Sequence, residues 1–405
     1  MKRRITLPDD RISVTPAARL QTAIEVLDLI LAAARDNGAA ADTIIAKWFS
    51  TRRFAGSKDR RAVRDLVYRA IRTFGELPVS ARSAFGRLAQ DDTELALLFD
   101  GSTYGPAVLD ESEVRDEPGL MPAWLGRMIP DVEHAALLER APLDLRANRA
   151  KSTRQTLLAV WPEATPIAGT EDGLRFANNF TVEATAEWRD GLVEVQDAGS
   201  QMVVAACAVS AGMTVIDLCA GGGGKTLALA SAMSRDGENR GRLIAADTDK
   251  RRLSQVPERA ARAGAKVEVQ LLDGGQEAAN LAPFAAQADV ILVDAPCSGS
   301  GTLRRNPEAR WRLQPARLDK LVQVQRHVLD LAVPLVKPGG AIVYAVCSLV
   351  AREGAGQVDA FLARYVEWKA VAPFAQGRPA GKGRVLSPGH DGTDGFFVAR
   401  LISPC

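Results

Sequence analysis

The chain reads as an α/β protein: a mostly parallel sheet covered on both faces, preceded by an all-helical region and a small α/β connector. Three observations predict this. From about residue 195 onward, short continuous apolar runs alternate with helical segments, the rhythm of a parallel sheet buried on both faces. The first of these runs leads directly into Gly221-Gly222-Gly223-Gly224 and a further helix. Before residue 140, apolar residues recur instead at spacings of three and four, as on amphipathic helices. The expected domains are 1–140, helical; 141–195, the connector; and 196–405, the sheet domain.

In the helical region, Leu20, Ile24, Leu27 and Leu31 mark one face of a first helix. Asp42 can cap a second helix holding Ile45, Trp48 and Phe49, and Ser57 can start a third. On a wheel of about 100° per residue, Val63, Leu66, Val67, Ala70 and Ile71 of that third helix share one side. Arg61, Arg64, Tyr68 and Arg72 take the other. Between Lys47 and Arg72 nine basic residues (47, 52, 53, 58, 60, 61, 64, 69, 72) face only Asp59 and Asp65. A charge run of this kind is commonly a solvated face. The local excess, interleaved with Phe54 and Tyr68, favours contact with a phosphate backbone. Residues 76–140 read as short helical pieces broken by Pro106, Pro118, Pro122 and Pro130.

In the connector, Leu143–Asn148 is strand-like and Ser152–Trp161 helix-like, with short β-prone pieces around Gly173. Arg140, Arg146, Arg149, Lys151 and Arg154 form a second basic cluster there. The sheet domain then offers strands at Val215–Leu218, Leu243–Ala246, Val267–Leu272, Val290–Val293 and Ala341–Val346. A β-rich end follows at Val366–Val371 and Phe396–Ile402, and Gly377–Gly392 is expected as a mobile loop.

Composition bounds the function less than the motifs do. A formal net charge of +2 over 405 residues says little about partners. Five cysteines without paired spacing fit free thiols in a reducing compartment. No apolar export segment follows Met1-Lys2-Arg3-Arg4, and no apolar run approaches the roughly 20 residues that span a bilayer. A cytoplasmic protein with no membrane partner is expected. His134, His327 and His390 share no metal-ligand spacing, so no metal is expected.

The glycine-rich loop is a place for a ligand. Glycines let the backbone approach closely, and the next helix offers free N–H groups. A P-loop is excluded by spacing, since Lys225 falls four residues after Gly221. A dinucleotide site stays open from this loop alone. Asp217, Asp247, Asp273 and Asp294 end four consecutive strands. Singly each could be a helix cap; together they favour a shared ligand, with Asp247 on a ribose and Asp273 near an adenine. Cys297 follows the fourth strand in Asp294-Ala295-Pro296-Cys297-Ser298-Gly299, and Cys347 ends the fifth in Tyr344-Ala345-Val346-Cys347-Ser348. Ligands of open α/β sheets bind beyond such strand ends, so these two thiols point to covalent chemistry. Cys207 reads as a buried small hydrophobe, Cys219 as part of the loop, and Cys405 carries no role.

With these cysteines in place, residues 195–405 resemble the RNA cytosine-carbon-5 methyltransferases of the RsmB/Nop2/Sun family. The family's first motif, D-x-C-A-A-P-G-G-K-T, stands here as Asp217-Leu218-Cys219-Ala220-Gly221-Gly222-Gly223-Gly224-Lys225-Thr226, with Gly-Gly in place of Ala-Pro. The D-A-P-C-S-G-x-G motif is complete from Asp294 to Gly301. T-C-S appears as Val346-Cys347-Ser348, and D-G-F-F as Asp394-Gly395-Phe396-Phe397. More weakly, the N-terminal region resembles the NusB-like RNA-binding domain of the RsmB branch.

The resemblance implies a class I, Rossmann-like methyltransferase sheet that uses S-adenosylmethionine on RNA, most often small-subunit ribosomal RNA. It implies cofactor contacts from Cys219, Ala220, Gly221–Gly224, Lys225, Asp247, Asp273 and Asp294. It also implies that Cys347 attacks cytosine carbon 6, that Asp294 bonds the ring near N3 with a carboxyl that shares a proton, and that Cys297 assists release. On the pattern of DNA cytosine methyltransferases, by contrast, Cys297 attacks and Cys347 is structural. Arg61, Arg64 and Arg72, together with Arg304, Arg305 and Arg310 beside Trp311, are the expected RNA contacts. Two rival functions are a lapsed methyltransferase-like RNA-binding protein, given the Gly-Gly and Val346 departures, and a small-molecule methyltransferase.

Overall fold

The computed structural model describes residues 15–36, 38–52, 56–177, 180–235, 238–239 and 241–405. The basic start at Lys2, Arg3 and Arg4, together with Arg53 and Phe54, lies outside them. The chain forms two compact units: Met1–Leu125 with Asn306–Arg312, and Gly126–Arg305 with Leu313–Cys405. The division falls at 125/126 where the sequence suggested 140, and residues 141–195 share a unit with the large sheet.

The first unit is helical. Its main helices are α1 (Pro16–Arg35), α2 (Ala41–Ser50), α3 (Ser57–Thr73) and α4 (Ala81–Asp91). Thr15 caps α1 through Ala18 N, with Pro16 at the first helical position, where a missing N–H costs nothing. The apolar faces read from the sequence meet in one core of Leu20, Leu27, Leu31, Val63, Val67, Ile71 and Phe85. Two details differ. Asp42 lies inside α2 and caps nothing; its Oδ1 accepts from Tyr68 Oη at 2.6 Å and Arg64 Nη2 at 2.8 Å. Tyr68 is accordingly buried rather than displayed on the basic face. Residues 92–125 hold only four-residue helical turns at Thr93–Ala96 and Ala123–Gly126, because each proline removes a donor and restricts the residue before it.

The second unit opens with an antiparallel sheet of β1 (Leu143–Ala147), β2 (Thr165–Pro166), β3 (Gly173–Phe176) and β4 (Val193–Val195), in the order β2-β3-β1-β4. The helix Arg154–Val160 contributes Leu157 to a core with Trp161 and Phe176. Next come α5 (Ala198–Ala206), β5 (Thr214–Asp217), α6 (Gly224–Met233), β6 (Arg242–Asp247), α7 (Val256–Ala263), β7 (Glu268–Leu271) and β8 (Ala288–Asp294). The chain continues through α8 (Pro315–Ala332), β9 (Val336–Val346), α9 (Ala355–Arg364), β10 (Lys369–Val371), β11 (Arg378–Ala380), β12 (Gly383–Leu386) and β13 (Phe396–Ile402).

The large sheet runs β11-β12-β13-β9-β8-β5-β6-β7, with β10 pairing β13. Strands β5 to β9 are parallel to their neighbours, whereas β13 is antiparallel to β9. Alternation along each strand divides the core into two faces. Ile291, Val293, Ile342 and Tyr344 pack with Leu329 of α8 and Phe361 of α9. Val290, Leu292, Val343 and Ala345 pack with Val203 of α5 and Leu229 of α6. The stretch 377–392, expected as a mobile loop, forms the β11–β12 hairpin. There Arg378 Nη2 donates to the buried Glu133 at 2.6 Å.

Winding outward from β5 to β7 and returning to the other side at β8 makes β5/β8 the point where strand order reverses. Crevices at such points, beyond the carboxyl ends, hold the ligands of open α/β sheets.

Candidate active site at the strand ends

At that reversal point the β5 loop, the β8 loop and the end of β9 lie side by side. Leu218 N bonds Leu292 O at 2.9 Å, and Ala295 N bonds Ala345 O at 2.9 Å. Cys297 Sγ and Cys347 Sγ are 3.3 Å apart, and both residues are partly accessible. The two thiols therefore meet beyond the ends of β8 and β9. Their hydrogen bond, together with burial, pushes the Cys297 thiol well above its ordinary value.

Lys225, in the first turn of α6, donates from Nζ to Asp294 Oδ2 at 2.7 Å, with the Phe396 ring 5.1 Å from its ammonium. Burial disfavours that charge, but Asp294 outweighs it, with a further contribution from Cys347, and the lysine holds its proton more firmly than in water. The sequence had asked Asp294 itself to share a proton. The structure gives it the Lys225 ammonium as a hydrogen-bond partner.

Asp217 is buried and accepts from Thr226 Oγ1 at 2.7 Å through Oδ2. Burial raises its carboxyl to about 7, against the lowering effect of that hydrogen bond. Its Oδ1 is buried with no hydrogen-bond partner among the described residues. Asp247 accepts from Gly221 N at 2.6 Å and Asp249 N at 2.7 Å, so it braces the loop from the next strand. Asp249 caps the turn at Lys250–Leu253, and Asp273 is exposed beyond β7. All four strand-end aspartates thus lie along one edge.

The two departures from the motifs have local explanations. Gly221 sits at φ +53°, and a Cβ there would come within 2.4 Å of the Arg252 guanidinium. Arg259 Nη1 holds the carbonyl of Gly222 at 2.6 Å. Arginines from the following helical segments thus pin the Gly-Gly loop. Val346 packs fully buried among Ile342, Tyr344 and Phe397, where an apolar side chain is at home.

The expected RNA contacts divide. Arg61 and Arg64 are exposed on α3 and Arg72 is partly exposed, with Arg64 and Arg72 flanking the Tyr68 ring. Arg310 is a correction. It is fully buried, donating to Ile71 O at 2.6 Å and Phe74 O at 2.8 Å, and Trp311 Nε1 also bonds Phe74 O. A guanidinium spent on helix-end carbonyls is closed to phosphate, and Trp311 is no stacking platform. Arg304 is likewise buried, bonded to Asp394 at 2.5 Å and Asp197 at 3.2 Å. Arg305 makes the same two ion pairs from a partly exposed position.

The sequence reading missed Asp197, which ties these arginines to the Asp394-Gly395-Phe396-Phe397 segment while capping α5. Its signal was an Asp directly before an apolar helical run. Gly301 explains part of the same junction. Its N bonds Cys347 O, its O accepts from Gly395 N, and a Cβ there would stand 2.0 Å from Gly395 O. Among the described residues no cluster of three or more His, Cys, Asp or Glu could hold a metal, and no helix is long and apolar enough to cross a membrane.

The site also fits S-adenosylmethionine. Added Cβ atoms at Gly224 and Gly274 would meet nothing within 4 Å, leaving open space over the loop and beyond β7. The orphaned Asp217 Oδ1 is an acceptor suited to an ammonium.

Known proteins resemble the chain in sequence and in fold. Residues 204–402 match the family described as 16S rRNA methyltransferase RsmB/F. The chain is 34% identical over 306 residues to the ribosomal RNA small subunit methyltransferase B of Salmonella arizonae, covering 73% of this chain and 69% of that protein. The corresponding protein of Shigella flexneri serotype 5b is similar to the same extent. Among solved structures, PH0851 superposes with a TM-score of 0.76 at 23% identity, covering 96% of this chain and 99% of that one. A methyltransferase homologue from Pyrococcus horikoshii gives 0.59 at 26% identity, over 67% of this chain and 90% of its own. The chain belongs to the RsmB/F family of 16S rRNA methyltransferases, enzymes that take their methyl group from S-adenosylmethionine.

Proposed function

We propose that this protein methylates carbon 5 of a cytosine in small-subunit ribosomal RNA through a covalent cysteine adduct. The observation that carries the reading is the pair of sulfurs 3.3 Å apart beside the Lys225–Asp294 ion pair. Carbon 5 of cytosine is a weak nucleophile. Cys347 adds as thiolate to carbon 6, which makes carbon 5 enamine-like and divides one hard step into two easier ones. Asp294, bonded to the Lys225 ammonium, holds the ring near N3, and that ammonium offsets the negative charge arriving there while keeping its proton. S-adenosylmethionine supplies the electrophilic methyl group when bound. The carbon-5 proton then passes to water, its electron pair restores the 5,6 double bond, and the bond from carbon 6 to the Cys347 sulfur breaks with its pair returning to sulfur as thiolate.

Cys347 is given the attack by its match to the T-C-S motif, against the opposite assignment on the DNA-enzyme pattern. Cys297 then serves the release step. The backbone of Cys219–Gly224, with Asp247 and Asp273, would hold the cofactor, and the target base must leave its stack to reach the thiols. Arg61, Arg64 and Arg72 on α3 supply phosphate contacts from the unit that resembles NusB-like domains. Cytoplasmic residence follows from the substrate.

The test is methylation of small-subunit RNA from a strain lacking the gene, followed by bisulfite sequencing. One newly protected cytosine is expected. Methyl incorporation with no protected cytosine contradicts carbon-5 specificity.

A further inference from the structure

Behind the thiols lies a buried carboxylate that neither the motif comparison nor the mechanism uses. Glu353, just before α9, is fully buried. Its Oε1 accepts from Ser298 N at 2.8 Å and from Gln325 Nε2 at 2.9 Å. Its Oε2 accepts from Ser298 Oγ at 2.5 Å and Ser348 Oγ at 2.6 Å. Four donors thus reach the two carboxyl oxygens, so the group is saturated, which is what makes burying it tolerable. The Glu353 carbonyl also accepts from Tyr344 Oη at 2.5 Å, and Gln325 Nε2 donates to Pro296 O at 2.9 Å as well.

Ser298 follows Cys297, and Ser348 follows Cys347. The backbone on either side of Cys297 and the residue after Cys347 are therefore all referred to one carboxylate. Ser300 closes the set, with its Oγ 3.0 Å from Ser348 Oγ and accepting Leu349 N at 3.1 Å. Nothing else described ties both thiol loops to one atom pair in this way. The sulfurs themselves share only a weak hydrogen bond.

We propose that Glu353 is a positioning residue that sets the separation and mutual orientation of Cys297 and Cys347. The inference rests on the two-thiol reading above. Displacing reacting groups by about 1 Å can cost about a hundredfold in rate, and Glu353 touches neither cofactor nor base. Its loss should therefore fall on turnover and not on binding.

The experiment compares full-length wild type, Glu353→Gln and Ser348→Ala. Gln keeps the shape but turns one acceptor oxygen into a donor. Ser348→Ala removes one tie and leaves the carboxylate. Each variant is checked for folding by thermal melting, for S-adenosylmethionine affinity by calorimetry, and for kcat and KM on small-subunit RNA. Adduct formation on RNA carrying 5-fluorocytosine is followed in a single turnover. In folded variants, kcat and the adduct rate should fall about tenfold or more, while KM and cofactor affinity stay within about twofold. If Glu353→Gln does not fold, Ser348→Ala decides. Folded variants with kcat within about twofold of wild type, or with cofactor affinity lost in step with kcat, overturn the proposal. A wild type that methylates RNA but forms no adduct refutes the two-thiol reading instead, and kcat alone then judges Glu353.

Discussion

Asp217 shows how a single residue can serve a site and burden the fold. Its carboxyl, raised by burial to about 7, stands near 3.9 in an unfolded chain. Between those values the folded state holds a proton that the unfolded state releases, so stability is full below about pH 4 and is lost as pH rises through about 7. Asp217→Asn cannot ionise. Thermal melts without cofactor should show wild type losing stability on the order of a few kcal/mol across that window, with a flatter profile for the variant. Parallel profiles would contradict this. Asp217 was legible in the sequence as a strand-end acid. Its neutral tendency was not, because it depends on the surrounding apolar strands and on Thr226 satisfying only one oxygen.

At the level of elements, α3 and the segment 306–312 separate two kinds of arginine. Arg61 stands free of the core on an exposed face, whereas Arg310 fills the end of α3 by bonding the carbonyls of Ile71 and Phe74. Arg61→Ala should lower RNA affinity and reduce the salt slope by about one, the release of one phosphate contact. Arg310→Ala should leave that slope unchanged and destabilise the protein by roughly 3 kcal/mol, through a cavity and unpaired carbonyls. A lowered slope for Arg310→Ala would restore it as an RNA contact. Both arginines looked alike in sequence, since an Arg-rich run with Trp311 fits a nucleic-acid surface as well as a helix-end plug. Helix periodicity gave the buried face of α3 correctly but set Tyr68 outside it. Its hydrogen bond to Asp42 of α2 drew it inward, a tertiary contact that no single-helix pattern contains.

Across the whole molecule, most of the parallel strands were readable because they are short apolar runs ending in Asp or Cys, β7 with Glu268 and Gln270 being the exception, and the reversal of strand order then brings those ends to one edge. Less readable was what fixes the edge in place. The pairing of Gly301 with Gly395, the ion pairs of Arg304 and Arg305 with Asp197 and Asp394, and the Glu353 cluster link residues between 5 and 108 positions apart. Apart from Ser348 and Glu353, these contacts are too far apart along the chain to leave a local pattern.

The arrangement's central consequence is a division of labour between two sulfurs, one attacking and one releasing. Trapping on RNA carrying 5-fluorocytosine at the target measures it directly. Cys347→Ala should form no covalent complex, while Cys297→Ala should accumulate a stalled one even on unmodified RNA. The reverse pattern, with adduct lost in Cys297→Ala and retained in Cys347→Ala, would contradict the account.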